Sequence, residues 1–237
     1  MVIPCFNEAT AIGSLIAGAQ RHLPTVIVVD DGSSDSTARV AALAGAQVLR
    51  HEARRGKGVA LQTGWRMARD QGLTWVLTLD GDGQHAPEDI PRFFECAERT
   101  GAALVVGNRM VHPEAMPWLR RRINQWMSRR LSHLVGRDLP DSQCGFRLLD
   151  MRLLANAQLR TTHFEVESET LIHFSAAGAQ VQFVPIQVIY QGSRSKIRPL
   201  PDGWRWLWWW FKVRTQTPPF SSDSSLSSAT GVVSLRP

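Results

Sequence analysis

The sequence predicts an α/β protein with a mostly parallel sheet flanked by helices, and three observations carry that expectation. Short apolar runs of strand character alternate with helical patterns through the first half of the chain, the order of repeated βαβ units. The runs are nearly continuous in Val, Ile and Leu, as in strands buried on both faces. Two of them end in acidic junctions that contain glycine, at the edge where open α/β sheets bind their ligands.

Strands are expected at Val2–Cys5, Val26–Asp30, Gln47–Arg50, Trp75–Leu79 and Leu104–Gly107. Helices are expected between them at Ala9–His22, Ser36–Ala44, Gly58–Gln71 and Pro87–Thr100. Asp35 precedes Ser36-Thr37 as a helix cap, and Pro87-Glu88-Asp89 puts a proline and two acids in a first turn. Beyond Arg109 the pattern changes. Pro117–Val135 reads as an amphipathic helix with Leu119, Ile123, Trp126, Met127, Leu131 and Leu134 on one face. That stripe is expected to pack on the sheet, leaving Arg120, Arg121, Arg122, Arg129 and Arg130 in solvent. Helices at Arg147–Ala157 and Glu165–Ala177 follow, with Glu165, Glu167 and Glu169 expected mostly in solvent, then a strand at Gln182–Tyr190. Gly203–Val213 carries Trp204, Trp206, Trp208, Trp209 and Trp210. From Thr215 the chain is rich in Ser, Pro and Thr and reads as a disordered tail. One domain over 1–214 and a tail over 215–237 are therefore expected.

The chain has 237 residues and is 43% hydrophobic, enough for a real core. No apolar run is long enough to span a bilayer. The N-terminus, Met-Val-Ile-Pro, enters a strand at once, so no signal peptide is expected. The short first strand leaves open a start upstream of Met1. Three scattered cysteines without ligand spacing suit a reducing, cytoplasmic setting. A net charge of +6 points to an anionic partner, whether nucleic acid, an anionic membrane or a nucleotide substrate.

The most informative stretch is Leu77-Thr-Leu-Asp-Gly-Asp-Gly-Gln-His85. Residues two apart in an extended chain point to one side, so Asp80 and Asp82 face a single spot at a strand's carboxyl end. Their mutual repulsion becomes attraction around Mg2+ or Mn2+, which prefer hard oxygen ligands and substrate phosphates. Val28-Val-Asp-Asp-Gly-Ser-Ser-Asp35 is a second acidic junction. There Asp30 or Asp31 is placed to bind a ribose or a base, and Gly32 to let backbone approach a ligand. Arg54-Arg-Gly-Lys-Gly58 opens a helix with basic side chains suited to a pyrophosphate. No GxGxxG follows the first strand, which argues against dinucleotide binding. Asp141 stands on a loop before the next expected helix, as a cap or as a general base.

Val2-Ile-Pro-Cys-Phe-Asn-Glu8, Val29-Asp-Asp-Gly-Ser-Ser-Asp35, Gly56-Lys-Gly58, Asp80-Gly-Asp-Gly-Gln84 and Asp141-Ser-Gln-Cys-Gly-Phe-Arg147 occur in the order seen in family 2 glycosyltransferases. The resemblance covers about residues 1 to 213 and is nearest to the branch like dolichol-phosphate mannosyltransferase. It implies a GT-A fold, a Rossmann-like sheet in a single domain, and inverting transfer from a nucleotide-diphosphate sugar. By motif, Pro4, Asn7, Glu8, Asp30, Asp31, Lys57 and Asp80 would serve the nucleotide. Asp80, Asp82 and Gln84 would serve Mg2+ or Mn2+. Arg109 and Arg122 match arginines that face phosphates, with the register around Arg120–Arg122 open by a residue. Arg147 belongs to the matched Gly-Phe-Arg.

The expected function is transfer of a sugar to a polyprenyl phosphate or another lipid-linked acceptor at the inner face of the membrane. A soluble glycan or a lipid hydroxyl is the alternative within the class. A phosphate acceptor needs little base assistance, whereas a hydroxyl needs a base, for which Asp141 is the candidate. Asp141→Asn is accordingly expected to spare part of the transfer to phosphate only. The basic helix and the tryptophan cluster together suggest peripheral membrane contact. A nucleic-acid-binding protein is disfavoured because acids line the expected cleft, and a silent scaffold because both Asp80 and Asp82 are present.

Overall fold

The computed structural model describes residues 1–189 and 199–216. The expected strand end at Tyr190 and the chain beyond Gln216 lie outside the described residues.

Seven strands form one sheet in the order β3-β2-β1-β4-β6-β5-β7. β1 (Val2–Cys5), β2 (Ile27–Asp30), β3 (Gln47–Arg50) and β4 (Trp75–Thr78) run parallel and fall where the apolar runs put them. β1 and β2 are buried throughout, while β3, at the sheet edge, is not. The connecting helices are α1 (Ile12–Gln20), α2 (Thr37–Leu43) and α3 (Lys57–Asp70). α3 lies close on β1 and β2 because Gly64 has no side chain: a Cβ there would sit 2.4 Å from Val2. The expected cap residue Asp35 accepts from the Thr37 amide at 2.9 Å and from the Ala9 amide at 3.2 Å. It therefore ties the β1 loop to the start of α2.

Pro87–Asp89 is a 3-10 turn that leads into α4 (Ile90–Thr100), which Gly101 ends at φ +69°. β5 (Leu104–Asn108) and the 18-residue α5 (Trp118–Val135) follow. The next segment departs from expectation. Arg147–Asp150 is a strand, β6, and only Met151–Ala155 is helical, as α6. β6 inserts antiparallel between β4 and β5, pairing Leu77 with Leu148 and Val105 with Leu148. Its charged first residue, Arg147, is buried because its guanidinium donates to three main-chain carbonyls, of Ser142, Cys144 and Glu167, at 2.5–2.7 Å.

α7 (Val166–Ala176), β7 (Val181–Pro185) and α8 (Pro199–Gln216) complete the chain. β7 runs parallel to β5 at the other edge. α8 extends through Thr215 and Gln216, past the expected end of the domain. It is seated by Trp206, which donates from Nε1 to Ser168 at 3.0 Å and stacks on Trp210 at 5.6 Å. Trp206 also meets Trp126 of α5 edge-on at 5.5 Å.

The first half of α5 departs from the expected arrangement, while Met127, Leu131 and Leu134 pack inward and Arg122, Arg129 and Arg130 are exposed as expected. Asn124, Ser128 and Leu131 are buried, and the buried polar pair faces the 141–146 loop. Trp118, Leu119, Ile123 and Trp126 are 40–71% exposed. α8 adds Trp204, Trp208 and Phe211 at 55–74%. Among the described residues no helix is long and apolar enough to cross a membrane.

Candidate active site

Because β6 is reversed, the loop that precedes it meets the loops that follow β1, β2, β4 and β5 at one edge of the sheet. A cleft opens there, lined by Pro4 of β1, Phe6 and Glu8 after it, Asp31 after β2, and Asp80 and Asp82 after β4. Arg54 and Lys57 reach it from the start of α3, Arg120 from α5, and His163 and Phe164 from the loop before α7. The Arg54 guanidinium lies 4.3 Å over the Phe6 ring, a cation–π contact that holds it at the mouth. Neither His163 nor Phe164 carried a sequence signal. Their place is set by Glu169, whose carboxylate takes the Arg160 and Thr161 amides at 2.9 and 3.0 Å.

Lys57 sits between two carboxylates, 2.6 Å from Asp80 Oδ1 and 2.5 Å from Glu167 Oε1. Burial alone would depress its ammonium, but Asp80 and Glu167 outweigh burial and raise it above the ordinary lysine range. Asp80 is half-buried, which would raise its carboxyl, yet Lys57, with His85 and Arg109 beyond, holds it below the usual range. Asp82 moves the other way, raised by burial and by the charge of Asp80. Glu165 and Glu167 are both buried, at 4% exposure, which corrects their expected solvent placement.

Two glycines serve protein backbone rather than a ligand. Gly32, at φ +73°, would place a Cβ 2.7 Å from the Ala53 carbonyl carbon, so it admits the 53–54 turn. Gly58 donates its amide to the Thr162 carbonyl at 2.9 Å, so that amide at the start of α3 faces a carbonyl and not a phosphate.

Of the other site candidates, Asn7, Asp30 and Gln84 do not line the cleft. Asn7 is at φ +54°, and its side-chain carbonyl accepts the Ser34 amide at 2.9 Å, joining the β1 and β2 loops. Asp30 accepts the Ser33 amide at 3.0 Å and approaches Arg50 at 3.2 Å, without reaching the cleft. Asp31 does line it, while holding the Arg55 and Gly56 amides at 2.9 and 2.8 Å. Gln84 donates its amide to Asp82 at 3.0 Å, and its side chain accepts from Arg120 at 3.4 Å. His85 is buried, and burial pushes its imidazole down to about 4, so it is neutral.

Asp141 is fully buried. Oδ2 accepts the Arg109 amide and Nε at 3.0 and 2.8 Å; Oδ1 accepts Arg109 Nη2 and Asn124 Nδ2 at 2.8 and 2.9 Å. A base needs a lone pair aimed at the acceptor, and four donors leave none in this arrangement. Asp141 thus holds Arg109 and α5 in place, which corrects its expected role. Arg122 is exposed and outside the cleft; Arg120 is the α5 arginine that enters it. Arg147 builds the loop, as described, and does not line the cleft.

Residues 1–157 match the family model described as glycosyl transferase family 2. The chain belongs to glycosyl transferase family 2. It is a nucleotide-sugar glycosyltransferase with a GT-A fold. Among the transferase's relatives is the UDP-N-acetylglucosamine–dolichyl-phosphate N-acetylglucosaminyltransferase of Methanococcus voltae, 30% identical over 80% of this chain and 85% of that one. The dolichyl-phosphate hexose transferase of Haloferax volcanii is 31% identical over 86% of this chain and 88% of that one. Glucosyl-3-phosphoglycerate synthase from Mycobacterium tuberculosis, solved with Mn2+, UDP-glucose and phosphoglyceric acid, shares the fold at 22% identity. Its TM-score is 0.68, over 92% of this chain and 79% of that one.

Asp80 and Asp82 fit a divalent cation. The proton affinity of Asp82 is raised first by burial and then by the like charge of Asp80 beside it. Among the described residues no cluster of three His, Cys, Asp or Glu could form a protein cage. Two hard carboxylates therefore suit an ion that completes its shell with water and diphosphate oxygens, as Mg2+ and Mn2+ do.

Proposed function

We propose that this transferase moves a sugar, with inversion, from a nucleoside-diphosphate sugar to a polyprenyl phosphate presented at a membrane surface. The observation that carries this reading is α5, whose inner face sends Arg120 into the donor cleft while its outer face exposes Trp118, Leu119, Ile123 and Trp126. Trp204, Trp208 and Phe211 of α8 extend that apolar surface, and Lys212 lies 3.5 Å over the Trp208 ring. Aromatic side chains with basic neighbours suit the headgroup level of a bilayer. An acceptor phosphate anchored there meets Arg120 first.

Asp80 and Asp82 would hold Mg2+ or Mn2+, which would supply positive charge to neutralise the diphosphate leaving group. Lys57 and Arg54 flank the same position with fixed positive charge, which stabilises charge that grows as the anomeric bond breaks. Asp31 and Glu8 receive hydroxyl or base donors of the nucleoside. A phosphate acceptor is already ionised near neutral pH, so a single in-line displacement needs no protein base. The absence of a free lone pair on Asp141 accords with that.

The donor site is tested by thermal denaturation with UDP- and GDP-sugars, each with and without Mn2+. A ligand at about 100 times its dissociation constant adds about 2.7 kcal/mol, or about 5–10 °C in a domain of this size. One donor is expected to give a metal-dependent shift that disappears in Asp82→Ala. No shift with any donor rules the reading out. For the acceptor side, Arg120→Ala should lower transfer to polyprenyl phosphate about 10²-fold, while Arg122→Ala stays within about threefold, as exposed sites do. Equal losses in the two variants, measured as initial rates, would reject Arg120 as the phosphate contact. Sedimentation with anionic liposomes checks the surface, and no pelleting counts against it.

A further inference from the structure

Asp80 has two tasks that conflict. It is the counter-ion of Lys57, at 2.6 Å, and by the reading above it is also a ligand of the donor's cation. An ammonium and a dication compete for one carboxylate. The Asp80 carboxylate lies against the backbone of Gly145, where a Cβ would fall 2.6 and 2.7 Å from its two oxygens, so it has no room to move toward that side.

A second carboxylate resolves the conflict. Glu167 reaches Lys57 at 2.5 Å from the side opposite the cleft and is 4% exposed. Neither of its carboxylate oxygens has a hydrogen-bond partner among the described residues, so both remain available to the ammonium that it meets as an ion pair. Its main chain is fixed by Arg147, which donates to the Glu167 carbonyl at 2.5 Å. Glu167 does not line the cleft and touches no ligand there. The role of Arg147, matched in the sequence but buried behind the site, becomes intelligible as the support of this residue.

We infer that Glu167 is a positioning residue that retains the Lys57 ammonium when Asp80 turns its charge to the incoming cation. The inference rests on the donor-site reading above. Without the Glu167 carboxylate, Lys57 keeps Asp80 as its remaining partner and opposes the metal. With it, Lys57 stays charged beside the diphosphate while Asp80 is released.

Mn2+ binding to the full chain, read from the loss of the free-ion electron paramagnetic resonance signal with and without UDP, tests this apart from turnover. Glu167→Gln should weaken Mn2+ binding about tenfold. Lys57→Met/Glu167→Gln should restore it to within about threefold of the wild type, because no ammonium is left to compete. A role of Glu167 in packing alone predicts the same loss in both backgrounds, and that result overturns the inference, as does unchanged Mn2+ affinity in Glu167→Gln. If Glu167→Gln does not fold by circular dichroism, Glu167→Asp, which withdraws the carboxylate by one methylene, takes its place in the same comparison. A wild-type protein that binds no Mn2+ even with UDP instead overturns the donor-site reading and the inference with it.

Discussion

Asp141→Ala should destabilise the folded enzyme by about 3–5 kcal/mol, because removing one partner of a buried ion pair leaves the other uncompensated. Arg109 is 5% exposed and donates to both Asp141 oxygens, so its guanidinium would be left buried without its counter-ion. In a domain of this size the thermal midpoint should fall by about 6 °C or more. Arg109→Met/Asp141→Leu should recover part of the loss, since it removes both charges. The pH dependence has a definite sign. Burial favours the neutral acid, but Arg109 and Asn124 prevail and hold the Asp141 carboxyl below its ordinary range. The stabilisation is therefore complete above the unfolded value of about 3.9 and is lost as pH falls from there through the depressed folded value. Wild-type stability should drop steeply below about pH 4, and the Asp141→Ala curve should be flatter there. An Asp141→Ala midpoint within 1 °C of the wild type (a shift of about 0.5 kcal/mol or less) would refute the pair's importance. For catalysis, Asp141→Asn should reduce transfer to phosphate and hydroxyl acceptors alike, since Asp141 holds α5 through Asn124 and so places Arg120 in the cleft.

Gly145→Ala should abolish most transfer without unfolding the chain. Its backbone φ is not in the left-handed region, so alanine carries no conformational penalty there. The added methyl, however, would stand 2.6–2.8 Å from the Asp80 carboxylate and must displace it. A displacement of about 1 Å at a reacting geometry costs about 10²-fold in rate. Transfer kinetics and Mn2+ binding should both suffer, while circular dichroism stays that of the wild type. Retention of more than about a third of the wild-type rate would show that Asp80 tolerates the shift.

The fold was largely legible where burial and composition agree. β1, β2, β4 and β5 are Val/Ile/Leu runs because both faces are covered, and their positions could be read to within a residue or so. β6 was not legible. Leu148-Leu149 and Leu153-Leu154 recur at a near-helical interval, and only the tertiary slot between β4 and β5 makes Arg147–Asp150 extended. Of the site, Pro4, Glu8, Asp31, Lys57, Asp80 and Asp82 could be read from strand ends and motif order, and all line one cleft. Arg120 could not be separated from Arg121 and Arg122 by composition. Each residue turns a helix by about 100°, and what selects Arg120 is Asn124 and Ser128, one and two turns on, buried against the 141–146 loop. Glu167 was hidden by Glu165 and Glu169, since three alternating acids read as a solvated face. Burial beside Lys57 is a property of the assembled sheet edge, not of the local sequence.

The reversal of β6 also divides the enzyme along a seam. The backbone on one side, from β1 through the loop after β4, carries most of the residues that line the cleft. The backbone on the other, from the end of β5 through α5 to the start of β6, carries Arg109, Arg120 and Asp141. The two halves meet through side chains and through the ladder between β4 and β6. Length and shape can therefore vary between Arg109 and Asp141 while the strands that carry Asp31, Asp80 and Asp82 stay in place, provided that Arg120 keeps its entry to the cleft.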